Sequence, residues 1–134
     1  MKTCSNGTAD IREAFMNTSV LIVDDEENLL VLLDWILTRE GFHVKTASEA
    51  DRALNFLDEE TFDLAILDMQ MYPMDGIRLL SELRKRSPST AVIMTTAYPA
   101  PDTLSECIKH GADALLAKPV DLDELKNVAR SLAD

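Results

Sequence analysis

The sequence predicts an α/β domain: a doubly wound, five-stranded parallel sheet with five helices. Apolar runs alternate along the chain with amphipathic stretches of helical period, the signature of βαβ units. Two of the runs, Val20-Leu21-Ile22-Val23 and Leu64-Ala65-Ile66-Leu67, lack polar alternation and so read as strands buried on both faces. Each ends in acid, Asp24-Asp25 and Asp68, where open α/β sheets bind their ligands.

The elements follow in order. Residues 1–18 form an N-terminal extension, expected to be flexible, in which Ile11 and Phe15 are spaced for one or two marginal helical turns. The domain proper is assigned to residues 19–134. After the first strand a helix is expected over about 27–39, with Leu29, Leu33, Ile36 and Leu37 on one face and Gly41 stopping it. Phe42 to Thr46 is a short alternating strand, and Ser48 is placed to cap a helix whose Ala50, Ala53, Leu54 and Leu57 face inward. The central strand ending at Asp68 leads through Met69–Gly76 into a helix over about 77–86, which Pro88 breaks. Ala91–Thr95 is the fourth strand. Pro99 and Pro101 separate it from a short helix carrying Leu104 and Ile108 and closed by Gly111. Ala114–Ala117 is the fifth strand and ends at Lys118-Pro119. Asp121, with Glu124 three residues on, then opens a last helix with Leu122, Leu125, Ala129 and Leu132 inward. Right-handed crossovers are expected throughout.

Composition narrows the function. At 134 residues and 46% hydrophobic the chain has room for one core. No apolar stretch approaches the ~20 residues of a membrane helix, and the start lacks a signal-peptide apolar region, so the cytoplasm is the expected location. Cys4 and Cys107 are read as free thiols. A net charge of −11 argues against nucleic acid or an anionic membrane as a partner of this domain.

Some of that acid has a specific place. Asp24, Asp25 and Asp68 all follow strands, and each alone could simply cap the next helix. A double acid after one buried strand and a third after another favours a hard cation held by oxygens, Mg²⁺ or Mn²⁺. Lys118 ends a strand at the same edge and can neutralise a phosphoryl oxygen, although a solvated surface lysine is the ordinary alternative. Thr96 also ends a strand and can donate from its hydroxyl, although strand geometry alone favours a β-branched residue there.

With these residues in view, the chain resembles the receiver domain of bacterial two-component response regulators from about Val20 to Leu132. The motifs that carry the resemblance are Val23-Asp24-Asp25-Glu26, the apolar run to Asp68, Met74-Asp75-Gly76, Thr96-Ala97, Gly111-Ala112-Asp113 and Lys118-Pro119. It implies a flavodoxin-like sheet of strand order 2-1-3-4-5. It also implies that Asp68 accepts a phosphoryl group from a sensor histidine kinase or phosphotransfer protein. Asp25, Asp68 and the backbone carbonyl of Gln70 would ligate Mg²⁺, with Asp24 acting through a water. Lys118 would pair with the acid and then with the phosphoryl group, Thr96 would follow the phosphoryl oxygen, and Lys118-Pro119 would be a cis peptide. The last helices would bind an effector or a second copy. The domain would be a signalling switch, not an enzyme beyond its own phosphorylation and dephosphorylation.

Two positions depart from the family's pattern. Leu115 stands where an aromatic residue is usual, and Tyr98 is the candidate to take part of its switching role. Tyr72-Pro73 shifts the usual loop proline by one residue. Gln70 lies where a side chain tends to tune dephosphorylation, by orienting a water or by nothing more than its own solvation. Two other functions use the same acids: a Mg²⁺-dependent phosphohydrolase with an aspartyl nucleophile, which would want a second acid where Gln70 stands, and a pseudo-receiver that scaffolds without phosphate. A stand-alone receiver and the receiver portion of a longer regulator both fit the sequence.

Overall fold

The computed structural model describes residues 18–133. The expectations for residues 1–17, Cys4 and the Ile11/Phe15 pair among them, lie outside the described residues. Five strands, β1 (Ser19–Val23), β2 (His43–Ala47), β3 (Leu64–Asp68), β4 (Ala91–Thr96) and β5 (Ala114–Ala117), form one parallel sheet in the order β2-β1-β3-β4-β5. Between and after them run α1 (Glu27–Arg39), α2 (Ala50–Glu59), α3 (Gly76–Arg86), α4 (Pro101–Lys109) and α5 (Leu122–Ala133).

Strand side chains alternate between the two faces, and both faces are covered. Leu21, Val23, Ala65, Leu67, Val92 and Met94 pack beneath α2 and α3, with Cys107 of α4 in the same layer. Val20, Ile22, Leu64, Ile66 and Ile93 meet α1 and α5 through Leu33, Leu37, Leu125 and Ala129. This double burial is why β3 reads as an unbroken apolar run: all five of its residues are buried. Strand order reverses between β1 and β3, so the C-terminal ends of these two neighbours open onto the crevice where such sheets take ligands. In register, Val23 lies beside Leu67 and Asp68 beside Thr95, which sets the acids at one level of the edge.

Several local expectations are corrected. In α1 Leu30 is buried with Leu33, Ile36 and Leu37, along i, i+3, i+7 from Leu30, and the expected Leu29 packs partly buried at the edge of the same layer. Ser48 does not cap α2: the N-cap is Glu49, without a side-chain bond, and Ser48 lies one residue too early. Pro101 does not precede α4 but opens it, at the position where a missing N–H removes no helical bond. β2 spans His43–Ala47, one residue later than its pattern suggested. Elsewhere the local chemistry follows the sequence: Asp75 caps α3 by accepting from Arg78 N at 2.9 Å, and Asp121 accepts from Glu124 N at 3.0 Å. Gly111 ends α4 with φ 99°, a conformation that favours glycine. Its carbonyl accepts from Arg84 Nη2 at 2.6 Å, which ties α3 to the turn before β5. Among the described residues no helix is long and apolar enough to cross a membrane.

Candidate functional site

At the C-terminal edge of the sheet, β1 delivers Asp24 and Asp25, β3 delivers Asp68, β4 delivers Thr96, and the turn after β5 delivers Lys118. One carboxylate oxygen from each of Asp24, Asp25 and Asp68 lies within 4.8 Å of the others. Asp24 and Asp68 are buried, 3% and 2% exposed, while Asp25 faces solvent. An oxygen-only set with one open side suits a hard divalent cation that keeps part of its water.

Neither Asp24 nor Asp68 caps the helix that follows. Each turns its Oδ1 back onto its own loop two residues on: Asp24 accepts from Glu26 N at 2.9 Å and Asp68 from Gln70 N at 3.1 Å. These short turns hold the carboxylates at the mouth of the crevice. Lys118 Nζ then bridges the two strands, donating to Asp24 Oδ2 at 2.8 Å and lying 3.3 Å from Asp68 Oδ1. Asp68 Oδ2 accepts no bond from any described residue.

The electrostatics follow from this packing. Burial, and next to it the charge of Asp24, raise the pKa of Asp68 above the ordinary carboxylate range, against the lowering influence of the Gln70 N–H and of Lys118. Burial works against the Lys118 ammonium, but the hydrogen bond and charge of Asp24, joined by Asp68, outweigh it and raise the lysine's pKa. Lys118 therefore stays charged where charge is needed.

A raised carboxyl pKa has a definite consequence for stability. The folded state holds the Asp68 proton more tightly than the unfolded chain does. The stabilisation is full below the ordinary carboxylate range and is lost as pH rises through the raised value. At neutral pH the ionised Asp68 is thus a net cost to the metal-free fold. Asp68→Asn is expected to raise the melting temperature of metal-free protein, read by a thermal melt at neutral pH. Added Mg²⁺ should raise the wild type and narrow that gap. A metal-free variant that melts below wild type contradicts this account.

Thr96 is fully buried at the end of β4, and its hydroxyl is engaged with the side chain of Gln70 on the neighbouring loop. The turn around it is braced by Lys118 N, which donates to Thr96 O at 2.7 Å, and by Met69 N, which donates to Thr95 O at 2.8 Å. Tyr98 is 73% exposed and lies outside the core, whereas Leu115 is half-buried against the layer beneath α2 and α3. Lys118-Pro119 is a cis peptide, and so is Tyr72-Pro73. Tyr72 itself is exposed, and Met71 before it points into the core.

Sequence reasoning did not identify the role of Gly76. A Cβ at this position would sit 2.2 Å from the backbone oxygen of Asp68 and 2.8 Å from Met69 Cα. The chain doubles back here, with Gly76 N donating to Met69 O at 3.0 Å. A glycine at the first position of a helix, where it contributes nothing to helix propensity, is the signal that a backbone passes close by.

The family model described as the response regulator receiver domain matches residues 20–130. The chain is 35% identical over 115 residues to sporulation initiation phosphotransferase F of Bacillus subtilis, covering 86% of this chain and 93% of that one. It is 36% identical over 110 residues to the transcriptional regulatory protein ZraR of Escherichia coli, covering 82% of this chain and 25% of ZraR. It thus spans about a quarter of the length of that relative. Among solved structures it is similar to a CheY-like response regulator receiver domain protein from Methanospirillum hungatei, with TM-score 0.80, 33% identity, and 87% and 94% of the two chains covered. A response regulator protein from Burkholderia pseudomallei, described with a phosphorylated aspartic acid, a calcium ion and citrate, aligns at TM-score 0.80 and 27% identity, over 87% of this chain and 69% of that one.

Proposed function

Since this chain belongs to the response regulator receiver family, we propose that it is a phosphoryl-accepting switch, with Asp68 as the acceptor and a histidine kinase or phosphotransfer protein as the donor. The observation that carries the proposal is the pairing of a buried Asp68 carboxylate, one oxygen free, with the Lys118 ammonium 3.3 Å from the other. The neighbouring Asp24 and Asp25 supply the rest of a cation site.

A carboxylate is a weak nucleophile and attacks phosphorus only when the charge on the phosphoryl group is screened and the approach is in line. Asp25, Asp68 and the backbone carbonyl of Gln70 would hold Mg²⁺ or Mn²⁺, with Asp24 reaching it through a water. When bound, the ion neutralises phosphoryl oxygens and offsets the repulsion among the acids. Asp68 Oδ2 forms the new O–P bond as the P–N bond of the donor phosphohistidine breaks, and the electron pair of that bond leaves with the imidazole nitrogen. Lys118 stabilises the charge that collects on the phosphoryl oxygens. The product is a mixed anhydride, reactive enough to be transient. Thr96 would then donate its hydroxyl to a phosphoryl oxygen and draw the turn after β4 inward. Tyr98 and Leu115 would carry that shift to the surface of α4 and α5, where an effector or a second copy binds.

The phosphohydrolase reading is disfavoured because Gln70 stands where a second acid would be needed and its side chain is turned to Thr96. The deciding experiment is intact mass after incubation with Mg²⁺ and acetyl phosphate. The wild type is expected to gain one phosphoryl group, Asp68→Asn none, and the gain should vanish when Mg²⁺ is chelated. An equal gain in Asp68→Asn would remove Asp68 from the role. No gain and no beryllofluoride binding in the wild type would leave a scaffold.

A further inference from the structure

We propose that Gln70 is a positioning residue. Its carboxamide clasps the β4 junction in the unphosphorylated protein and must release it before the switch can be thrown. The proposal rests on Thr96 being the group that follows the phosphoryl oxygen.

Gln70 Nε2 and Oε1 lie 3.0 and 3.3 Å from Thr96 Oγ1, a contact in which either the amide N–H or the hydroxyl donates. The same Oε1 accepts from Ala97 N at 3.3 Å. Tyr98 N also donates to the Thr96 hydroxyl, at 3.1 Å. A threonine hydroxyl has one proton and two lone pairs. The two ends of one carboxamide lie on the same side of the hydroxyl, so a single bond joins it to Gln70 in either arrangement, and Tyr98 N donates to it in both. To follow a phosphoryl oxygen inward, the Thr96 hydroxyl must leave the Gln70 carboxamide. Ala97 N rests on the same carboxamide, so the Thr96 to Ala97 turn is released with it.

The base of the clasp is tied to the acceptor. Gln70 N donates to Asp68 Oδ1 at 3.1 Å, so the residue that grips Thr96 is the one whose backbone grips the nucleophile. Phosphorylation of Asp68 perturbs the backbone anchor and offers Thr96 a stronger, charged acceptor at once. The energy of the clasp is then a threshold the phosphoryl group must exceed. The side chain of Gln70 is on the surface, so replacing it leaves the core intact.

The test has two parts. Without ligand, the Ala97 amide should exchange with solvent several-fold faster in Gln70→Met than in wild type, because methionine keeps the length and loses both hydrogen bonds. With saturating Mg²⁺, Gln70→Met should bind beryllofluoride about fivefold more tightly, the value of one hydrogen bond removed from the resting state alone. That gain should persist beside Thr96→Ser and disappear beside Thr96→Val, a double-mutant cycle that isolates the hydroxyl. Unchanged Ala97 exchange, or the same tightening beside Thr96→Val, overturns the clasp. An altered aspartyl-phosphate lifetime with unchanged beryllofluoride affinity also overturns it, in favour of a role on water. A wild type that takes neither acetyl phosphate nor beryllofluoride at Asp68 overturns the proposed function, and with it the threshold, even where Ala97 exchange shows the clasp in place.

Discussion

Lys118→Ala is expected to slow phosphorylation of Asp68 by acetyl phosphate about 10²- to 10³-fold at saturating Mg²⁺, the usual loss when one preorganised charge at a reacting oxygen is removed. The effect is large because no other described cation shares the position: Lys118 Nζ lies within 3.3 Å of both buried acids. The same change should lower the melting temperature of metal-free protein. Asp24 and Asp68 are nearly without solvent, and deleting their common partner leaves two like charges facing each other. About 2–3 kcal/mol of stability should be lost at neutral pH, somewhat below the value for a fully buried pair because the lysine side chain keeps 20% exposure. Adding Asp68→Asn to Lys118→Ala should return part of that stability, since it removes one of the two opposing charges. Thermal melts of the four proteins, without and with Mg²⁺, check the signs. A Lys118→Ala protein phosphorylated at the wild-type rate would mean that the ammonium serves the fold alone.

Gly76→Ala is expected to be nearly as damaging by a different route. One methyl group would lie 2.2 Å from the Asp68 carbonyl oxygen and 2.9 Å from its carbon, both backbone atoms that cannot rotate away. Either α3 retreats, opening the layer formed by Leu79, Leu80 and Leu83, or the end of β3 moves and carries Asp68 with it. Stability should fall by about 3 kcal/mol. Misplacing Asp68 by even ~1 Å should cost about 10²-fold in phosphorylation. A melting temperature within a degree or two of wild type, together with normal phosphoryl uptake, would show that the loop can absorb the methyl group.

The two variants separate chemistry from scaffold. Lys118→Ala should bind Mg²⁺ with its carboxylate positions intact, because those are set by the turns at Glu26 N and Gln70 N. Gly76→Ala should lose Mg²⁺ affinity as well, because it shifts the backbone of Asp68, a proposed ligand. Titration with Mg²⁺ before any phosphodonor is added tells the two failures apart.

The amino-acid sequence by itself determined the fold class, the order of the elements and the list of groups at the sheet edge. It could do so because burial on both faces imposes unbroken apolar runs, amphipathic helices impose a 3.6 period, and Asp24, Asp25, Asp68 and Lys118 follow those runs directly. Patterns of this kind are local, and local physics writes them into the chain. Only the tertiary structure decided which donor meets which acceptor. Lys118 and Asp24 are 94 positions apart, yet it is Asp24 that holds the lysine most closely. Gln70 could be read as a water-orienting or merely solvated side chain until the β3 and β4 loops were seen side by side with its carboxamide on Thr96. Gly76 stands in the sequence only as part of the Met74-Asp75-Gly76 motif, and its physical role appears when the backbone of Asp68 is found against it. The misplaced details, the omission of Leu30, Ser48 as a cap and Pro101 as a spacer, are shifts of one or two positions at element ends. Propensity there is nearly flat, and packing against the sheet chooses the rotation of a helix and its first turn.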